Sequence, residues 1–294
     1  MVDGLRAERA STSSATPTSR GSLDASAVAR YRRDGYLFPM TALTPSSARA
    51  YYDRLVRYEH DYPGVAARIL RQKSHVVLTF VDELIRLDPV LDAVESILGP
   101  DILCWATSFF IKNPGDGKFI SWHQDAQYWG LEADDIVTAW LALTPSHDGN
   151  GCMRVVPGSH RTQLPHENRP SRDNMLTRGQ EIAVEVDERQ AVSIALAPGQ
   201  FSLHHELIVH GSRPNGGAER RIGLAIRYIR PTARQVVDER DSAVLVRGED
   251  PYGHFAPEPR PVRDMDQANL DYLEAMLATR AGGVFRKPAG GSSD

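Results

Sequence analysis

Residues 102–122, ILCWATSFFIKNPGDGKFISW, decide the fold class of this chain. An apolar run rich in aromatic and β-branched residues is followed by the turn material Asn113-Pro114-Gly115-Asp116-Gly117 and by a second short run, which is typical of strands joined by a turn. The pattern recurs and predicts further strands over 136–143, 153–156, 192–196, 201–205 and 221–229. Many short strands separated by turns favour a β-sandwich or barrel.

The sequence before residue 101 is helical in pattern. The spacing of its apolar residues predicts a helix ending at Arg33, a second starting at Pro45 and a third over 89–98. A last helix is predicted over 264–281. Helices that precede a run of strands indicate a mainly β fold with flanking helices packed on one side.

We expect one domain, because no internal repeat or long linker interrupts the sequence. The domain would span 23–283, with a helical part over 23–100 and a core of strands over 101–231. Residues 1–22 and 284–294 are polar and rich in small residues, so disordered tails are expected at both ends.

Composition excludes several classes of protein. The 294 residues carry a net charge of -4, from 34 Lys+Arg against 38 Asp+Glu, which disfavours a nucleic-acid partner. No apolar run approaches the roughly 18 residues of a membrane span. The two cysteines, Cys104 and Cys152, cannot form a disulfide framework, so a reduced, cytoplasmic location is expected. A monomer or a homodimer fits this composition.

The stretch Ser121-Trp122-His123-Gln124-Asp125 carries the first chemical signal. Residues i and i+2 of a strand share a face, so His123 and Asp125 would present an imidazole and a carboxylate to one metal ion. His210 is the best candidate for a third ligand. Two histidines and a carboxylate form the facial triad of non-haem Fe(II) oxygenases. An ordinary His–Asp hydrogen bond, or a polar strand face in solvent, would produce the same short motif.

Arg221 lies eleven residues after His210 and opens the apolar strand 222–226. At the mouth of a barrel, its guanidinium would form a planar fork for a carboxylate. The alternative is a solvated residue at the edge of a strand.

Five blocks of sequence match a known family. They are Trp122-His123-Gln124-Asp125, then TAWLAL at 138–143, NGCMRVVPGSH at 150–160, His210-Gly211-Ser212 and Arg221. In this order they resemble the phytanoyl-CoA dioxygenase family of Fe(II)- and 2-oxoglutarate-dependent oxygenases. The resemblance covers roughly residues 30 to 230 and implies a double-stranded β-helix, the cupin-like jelly roll, for the core.

The resemblance implies a role for individual residues. His123, Asp125 and His210 match the iron ligands, while Arg221 and Ser212 match the residues that bind the distal carboxylate of 2-oxoglutarate. The implied cofactors are therefore Fe(II), 2-oxoglutarate as co-substrate and O2.

Further positions are assigned on looser grounds. Trp140 matches a tryptophan that lines the co-substrate pocket. Lys73 or His75 falls near a position where the family can use a basic residue, and a solvated loop is the alternative there. His204 is a candidate to line the pocket or to support a ligand, and His160 is expected to order its own turn.

The resemblance also implies an activity. The enzyme would hydroxylate an unactivated C–H bond of a small, biosynthetic molecule and release succinate and CO2. Because Asp125 keeps the carboxylate that related halogenases replace by a small residue, hydroxylation is favoured over halogenation, with desaturation or ring chemistry as minor options. A zinc-dependent hydrolase or a non-catalytic binding protein on the same barrel is the alternative. Arg221 with Ser212 argues against the hydrolase, and the intact triad argues against the binding protein.

The substrate itself is not encoded in these motifs. The family acts on acyl-CoA thioesters, carrier-tethered groups and free small molecules. The polar segment 162–188 is expected to be either a lid, whose Arg169, Arg172 and Arg178 meet an anionic substrate, or a solvated loop.

Overall fold

The computed structural model describes residues 21–133, 135–176, 180–237 and 241–283. The expected tail 284–294, and 1–22 apart from its last two residues, lie outside the described residues. In the described ranges, no helix is long and apolar enough to cross a lipid bilayer.

The helices lie mostly before residue 100, as predicted. They are α1 (Ala25–Asp34), α2 (Pro45–Asp61), α3 (Ala66–Ile69), α4 (Thr79–Leu84), α5 (Asp88–Leu98) and α6 (Gln267–Gly283). The Asp24 carboxylate accepts a hydrogen bond from the Ala27 amide at 2.7 Å and begins α1, and Gly35 ends that helix in the left-handed conformation. The short helices α3 and α4 were not predicted, because four to six residues cannot show a helical period.

The strands form two larger sheets and two small pairs. They are β1 (Tyr36–Thr41), β2 (Ile102–Lys112), β3 (Ile120–His123), β4 (Leu131–Glu132), β5 (Ile136–Ala142), β6 (Arg154–Val155), β7 (His166–Asn168), β8 (Gln180–Ile182), β9 (Val192–Ser193), β10 (Gln200–His205), β11 (His210–Ser212), β12 (Arg221–Ile229), β13 (Arg234–Gln235), β14 (Ser242–Arg247) and β15 (Ala256–Pro257). The chain is therefore rich in β structure with flanking helices. The strands that were not predicted are β11, β14 and the short β4, β7, β8, β13 and β15.

The order of strands brings distant segments together. The larger sheet runs β1-β10-β5-β12-β2-β14-β15, and the smaller runs β3-β11-β6-β9. All pairs inside these sheets are antiparallel, except the parallel pair of β14 and β15. Every residue of β5 and β12 is buried, as expected of central strands covered on both faces.

The two faces of the larger sheet have different partners. On one face, residues such as Leu141 and Leu224 join helix residues such as Leu55 and Val94 in the main hydrophobic core. On the other face, Trp140 and Ala225 pack with apolar residues of the smaller sheet and its connections, such as Val155. The functional side chains described below lie between the two sheets.

Candidate metal centre

Three potential ligands meet where the smaller sheet faces the larger one. His123 on β3 and His210 on β11 are directly paired across the antiparallel ladder, and their ring centroids are 4.1 Å apart. Asp125 starts a short 3-10 turn after β3, and its Oδ1 lies 3.3 Å from His123 Nε2. One ligand atom from each of the three residues lies within 4.8 Å of the others. This spacing allows the three side chains to bind one ion.

Backbone carbonyls fix both imidazoles in the form that a metal requires. His123 Nδ1 donates to the carbonyl of Ser121 at 2.9 Å, and His210 Nδ1 donates to the carbonyl of Ile208 at 3.0 Å. Because a carbonyl only accepts, the proton of each neutral ring lies on Nδ1 and the lone pair lies on Nε2. Such carbonyl partners are the usual means of orienting ligand histidines.

The electrostatics favour a neutral imidazole beside a charged carboxylate. Burial, and then the nearby His123, lower the pKa of His210 to about 4. Burial alone would raise the pKa of Asp125, but the neighbouring His123 and the positive charge of Arg227 hold that pKa below its usual range. At neutral pH the cluster is therefore ready to bind a cation.

The opposite end of the same pocket is built for an anion. Arg221 is 1% exposed, and its Nε and Nη2 atoms have no hydrogen-bond partner among the described residues. Buried donors are normally satisfied, so these two are left for a ligand. The hydroxyl of Ser212 lines the same pocket. A carboxylate of a bound keto-diacid fits this pair of donors, so the residues present fit both iron and 2-oxoglutarate.

Trp140 holds the arginine in place. The centre of the Arg221 guanidinium lies 5.3 Å from the centroid of the Trp140 ring, within the range of a cation–π contact. The ring in turn packs against Gly223, where an added Cβ would lie 2.0 Å from it. Glycine at this position therefore makes room for the tryptophan.

Between these ends, the pocket combines apolar and polar walls. Phe110, Ile120 and Met153 line it together with Thr138 and His204. His204 is fully buried, with its ring 5.1 Å from that of His210, and its Nδ1 lacks a partner among the described residues. Burial, and then His210, place the pKa of His204 well below its usual range, so it is a neutral group in the pocket wall.

The structure does not bring Lys73 or His75 to this pocket. Both are buried elsewhere, around Glu258, which accepts from Lys73 Nζ at 2.6 Å and lies 2.6 Å from His75 Nε2. Lys73 also donates to the carbonyl oxygens of Trp105 and Ser242. The looser assignment of Lys73 to the co-substrate is therefore corrected: a carboxylate 185 residues away in sequence already binds its ammonium group.

The sequence analysis missed two residues, one that lines the pocket and one that lies next to it. Arg227 lines the pocket, donates from Nη1 to Ser108 Oγ at 3.0 Å and lies over the Trp129 ring at 5.1 Å. Its even spacing from Arg221 on one strand could have revealed it, because residues at even separations share a face. Lys112 lies directly opposite Arg221 on β2, and it donates to Ser212. A single lysine at the end of a strand gives no indication in the sequence of a role beside the pocket.

Gln124, which lies between His123 and Asp125 in the sequence, connects the candidate metal centre to the segment 162–188. Gln124 is fully buried; its Nε2 donates to the Thr162 and Leu207 carbonyls, and its Oε1 accepts from the Leu164 amide. The backbone N–H of Gln124 donates to His166 Nε2 at 2.9 Å. The start of this segment is therefore attached to the metal-binding turn.

The rest of 162–188 includes the β7–β8 hairpin and exposed arginines. Arg169 pairs with Glu167 at 3.0 Å, while Arg178 lies outside the described residues.

His160 is buried and its Nε2 bonds to the Arg32 carbonyl at 3.1 Å, which ties its turn to α1 as expected of a structural residue.

Comparison with known proteins supports this geometry. The family model described as phytanoyl-CoA dioxygenase (PhyH) matches residues 23–223. The probable alpha-ketoglutarate-dependent hypophosphite dioxygenase of Stutzerimonas stutzeri is 28% identical over 171 residues, which are 56% of this chain and 59% of that protein. L-proline trans-4-hydroxylase of Streptomyces griseoviridis is 26% identical over 69% of this chain and 85% of its own length. The chain spans about half the length of several other curated relatives.

A solved structure covers most of the chain. The non-heme monooxygenase ThoJ in its apo form superposes with a TM-score of 0.79 and 38% sequence identity, covering 87% of this chain and 96% of that one. A ThoJ–Ni complex superposes with a TM-score of 0.74 and 34% identity, over 87% of this chain and 98% of that one.

Proposed function

The chain belongs to the phytanoyl-CoA dioxygenase family, and from that premise we propose that it is an Fe(II)- and 2-oxoglutarate-dependent dioxygenase that hydroxylates an unactivated C–H bond of a small biosynthetic molecule. One observation carries the proposal: the ligand atoms of His123, Asp125 and His210 converge in a pocket that also contains Arg221, whose buried Nε and Nη2 find no partner in the described part of the chain. A zinc hydrolase would have no need of that buried guanidinium.

Each residue has a defined task in this reaction. His123, Asp125 and His210 would hold the iron, while Arg221 and Ser212 would bind the distal carboxylate of the keto-diacid. When bound, Fe(II), 2-oxoglutarate and O2 supply the oxidising power, and succinate and CO2 leave. The buried walls exclude water from the reacting carbon and hold it at a fixed distance from the metal.

Hydroxylation is the expected outcome because of Asp125. Its carboxylate would take the ligand position that a halide needs, and its lowered pKa keeps it charged at neutral pH. The names of the two curated relatives above, a hypophosphite dioxygenase and a proline hydroxylase, support a free small substrate. An acyl-CoA or carrier-tethered group is the alternative, because other curated relatives are phytanoyl-CoA dioxygenases.

The architecture is proposed to be a double-stranded β-helix. The orders β10-β5-β12-β2 and β3-β11-β6-β9 place eight strands in two facing antiparallel sheets, as in a jelly roll. We propose a single oxygenase domain over 23–283 with this architecture.

The two cysteines are free and buried, which supports a reduced, cytoplasmic setting.

The test is formation of succinate from 2-oxoglutarate in air with added Fe(II). The wild-type chain should turn over, and His210→Ala should reduce turnover and Fe(II) binding to background while the circular dichroism spectrum is unchanged. His60→Ala is the matched control, because the His60 side chain is 85% exposed and far from the pocket lining. Full activity of His210→Ala, or an iron-loaded wild type that never consumes 2-oxoglutarate, would refute the proposal.

A further inference from the structure

Lys112 is a fully buried lysine just outside the anion end of the pocket. It ends strand β2, is 0% exposed, and lies opposite Arg221 in the ladder between β2 and β12. Its Nζ donates to Ser212 Oγ at 2.7 Å, to the Ser212 carbonyl at 3.3 Å and to the Arg213 carbonyl. All three protons of the ammonium group therefore have acceptors.

These contacts determine the direction of the Ser212 hydroxyl. In its charged form Lys112 only donates, so Ser212 Oγ then accepts from it and directs its own hydrogen elsewhere. No acceptor for that hydrogen is found among the described residues, and Ser212 lines the pocket. The hydroxyl therefore donates into the space that it shares with Arg221.

The charges around Lys112 point to the same ligand. Within the described ranges, neither Lys112 nor Arg221 forms an ion pair with a carboxylate. Burial, and then the Arg221 charge, lower the pKa of Lys112 to about 6. A carboxylate bound beside both groups would favour the charged form of Lys112 and offset the cost of burying two cations together.

We propose that Lys112 is a positioning residue for the distal carboxylate of 2-oxoglutarate: it turns the Ser212 hydroxyl proton into the pocket beside Arg221. The inference rests on the proposed function, and it adds a residue that does not itself line the pocket. Lys112 acts through Ser212, and its positive charge supports the same carboxylate at longer range.

The first experiment measures binding rather than turnover. Calorimetry without oxygen, with Mn(II) in place of Fe(II), gives the Kd of 2-oxoglutarate and of 2-oxobutanoate, which lacks the distal carboxylate. Lys112→Met should weaken 2-oxoglutarate about tenfold, since a charge-supported hydrogen bond is lost, and should leave 2-oxobutanoate within about twofold. Lys118→Met is the matched control, because Lys118 binds the exposed Arg172 carbonyl at 2.7 Å.

The second experiment tests whether Lys112 acts through Ser212. In a double-mutant cycle, Ser212→Ala should weaken 2-oxoglutarate on its own, and adding Lys112→Met to it should cost much less than in the wild type. Fully additive losses would overturn the positioning role.

Destabilisation alone gives a different result. A variant that simply folds poorly loses both ligands equally, which would also overturn the proposal, and Lys112→Gln serves as a second variant if Lys112→Met does not fold. An unchanged Kd for 2-oxoglutarate in both variants refutes the role of Lys112. A wild type that binds Mn(II) but not 2-oxoglutarate refutes instead the proposed function on which this inference depends.

Discussion

Two buried lysines in this molecule have opposite surroundings. Lys73 and Lys112 are both 0% exposed, and both contact strand β2 or belong to it. The ammonium group of Lys73 is neutralised by the buried carboxylate of Glu258, whereas that of Lys112 has only neutral acceptors and faces the cation Arg221.

The difference separates a structural charge from one that serves a ligand. A buried cation that pairs with a carboxylate of the protein needs no ligand to balance its charge. Removing either partner leaves the other charge buried without a counter-ion. Lys112, whose charged form is disfavoured by burial and by Arg221, gains a counter-charge only when an anion binds beside the two groups. The first pair should therefore govern stability, and the second should govern affinity for a dicarboxylate.

The largest expected effect is on the structural pair. Glu258→Gln leaves the Lys73 ammonium group without its counter-ion and should lower the free energy of unfolding by about 3–5 kcal/mol. Urea denaturation measures this change. Glu274→Gln, which breaks the exposed pair with Arg68, should have little effect. If Glu258→Gln and Glu274→Gln change the free energy of unfolding equally, the buried pair does not have the stabilising role assigned to it.

A smaller effect is expected on the ligand side. Arg221→Ala removes a charge-assisted hydrogen bond worth about 1.5–3 kcal/mol and should raise the Kd of 2-oxoglutarate about 10- to 100-fold. Calorimetry under the conditions given above measures it, with the exposed Arg189→Ala as control. The free energy of unfolding should change less than in Glu258→Gln. A greater loss of stability than of affinity would contradict the division between the two regions.

The smallest expected effect is a pH dependence at Glu258. Burial alone would raise its pKa, but Lys73 and His75 lower it to about 2 in the folded protein, against about 4.3 in the unfolded chain. Its stabilising contribution is thus complete above pH 4.3 and is lost as the pH falls towards 2. The stability difference between the wild type and Glu258→Gln should shrink by less than about 1 kcal/mol between pH 7 and pH 4. A difference that grows on acidification would contradict the assigned pKa shift.

Local patterns were sufficient to predict much of the molecule. Strands such as β5 and β12 are buried apolar runs between turn residues, and α1 has a recognisable cap at Asp24. The residues proposed as ligands were found because His123 and Asp125 lie two apart and His210 belongs to a matching block. Short spacing along the chain carried most of that information.

Long-range partners could not be predicted. Lys73 was assigned to the co-substrate on a loose match to the family, and no local pattern could reveal its partner Glu258, 185 residues later in the sequence. Lys112 was overlooked because a lysine at the end of a strand normally faces solvent. Strand β11 was missed because three residues, His210-Gly211-Ser212, show no alternation. In each case the decisive contact joins residues that are far apart in the chain.

The pairing of His123 with His210 across a β ladder has a consequence for metal exchange. Backbone hydrogen bonds of the sheet, not the ion, set the separation of the two imidazoles at 4.1 Å between ring centroids. The chelating pair is therefore assembled on folding, and an ion can enter or leave without refolding. By the usual order of affinities, such a preformed site is expected to bind Ni²⁺ or Cu²⁺ more tightly than Fe²⁺, so we expect the metal supply during expression to influence which ion the purified protein carries.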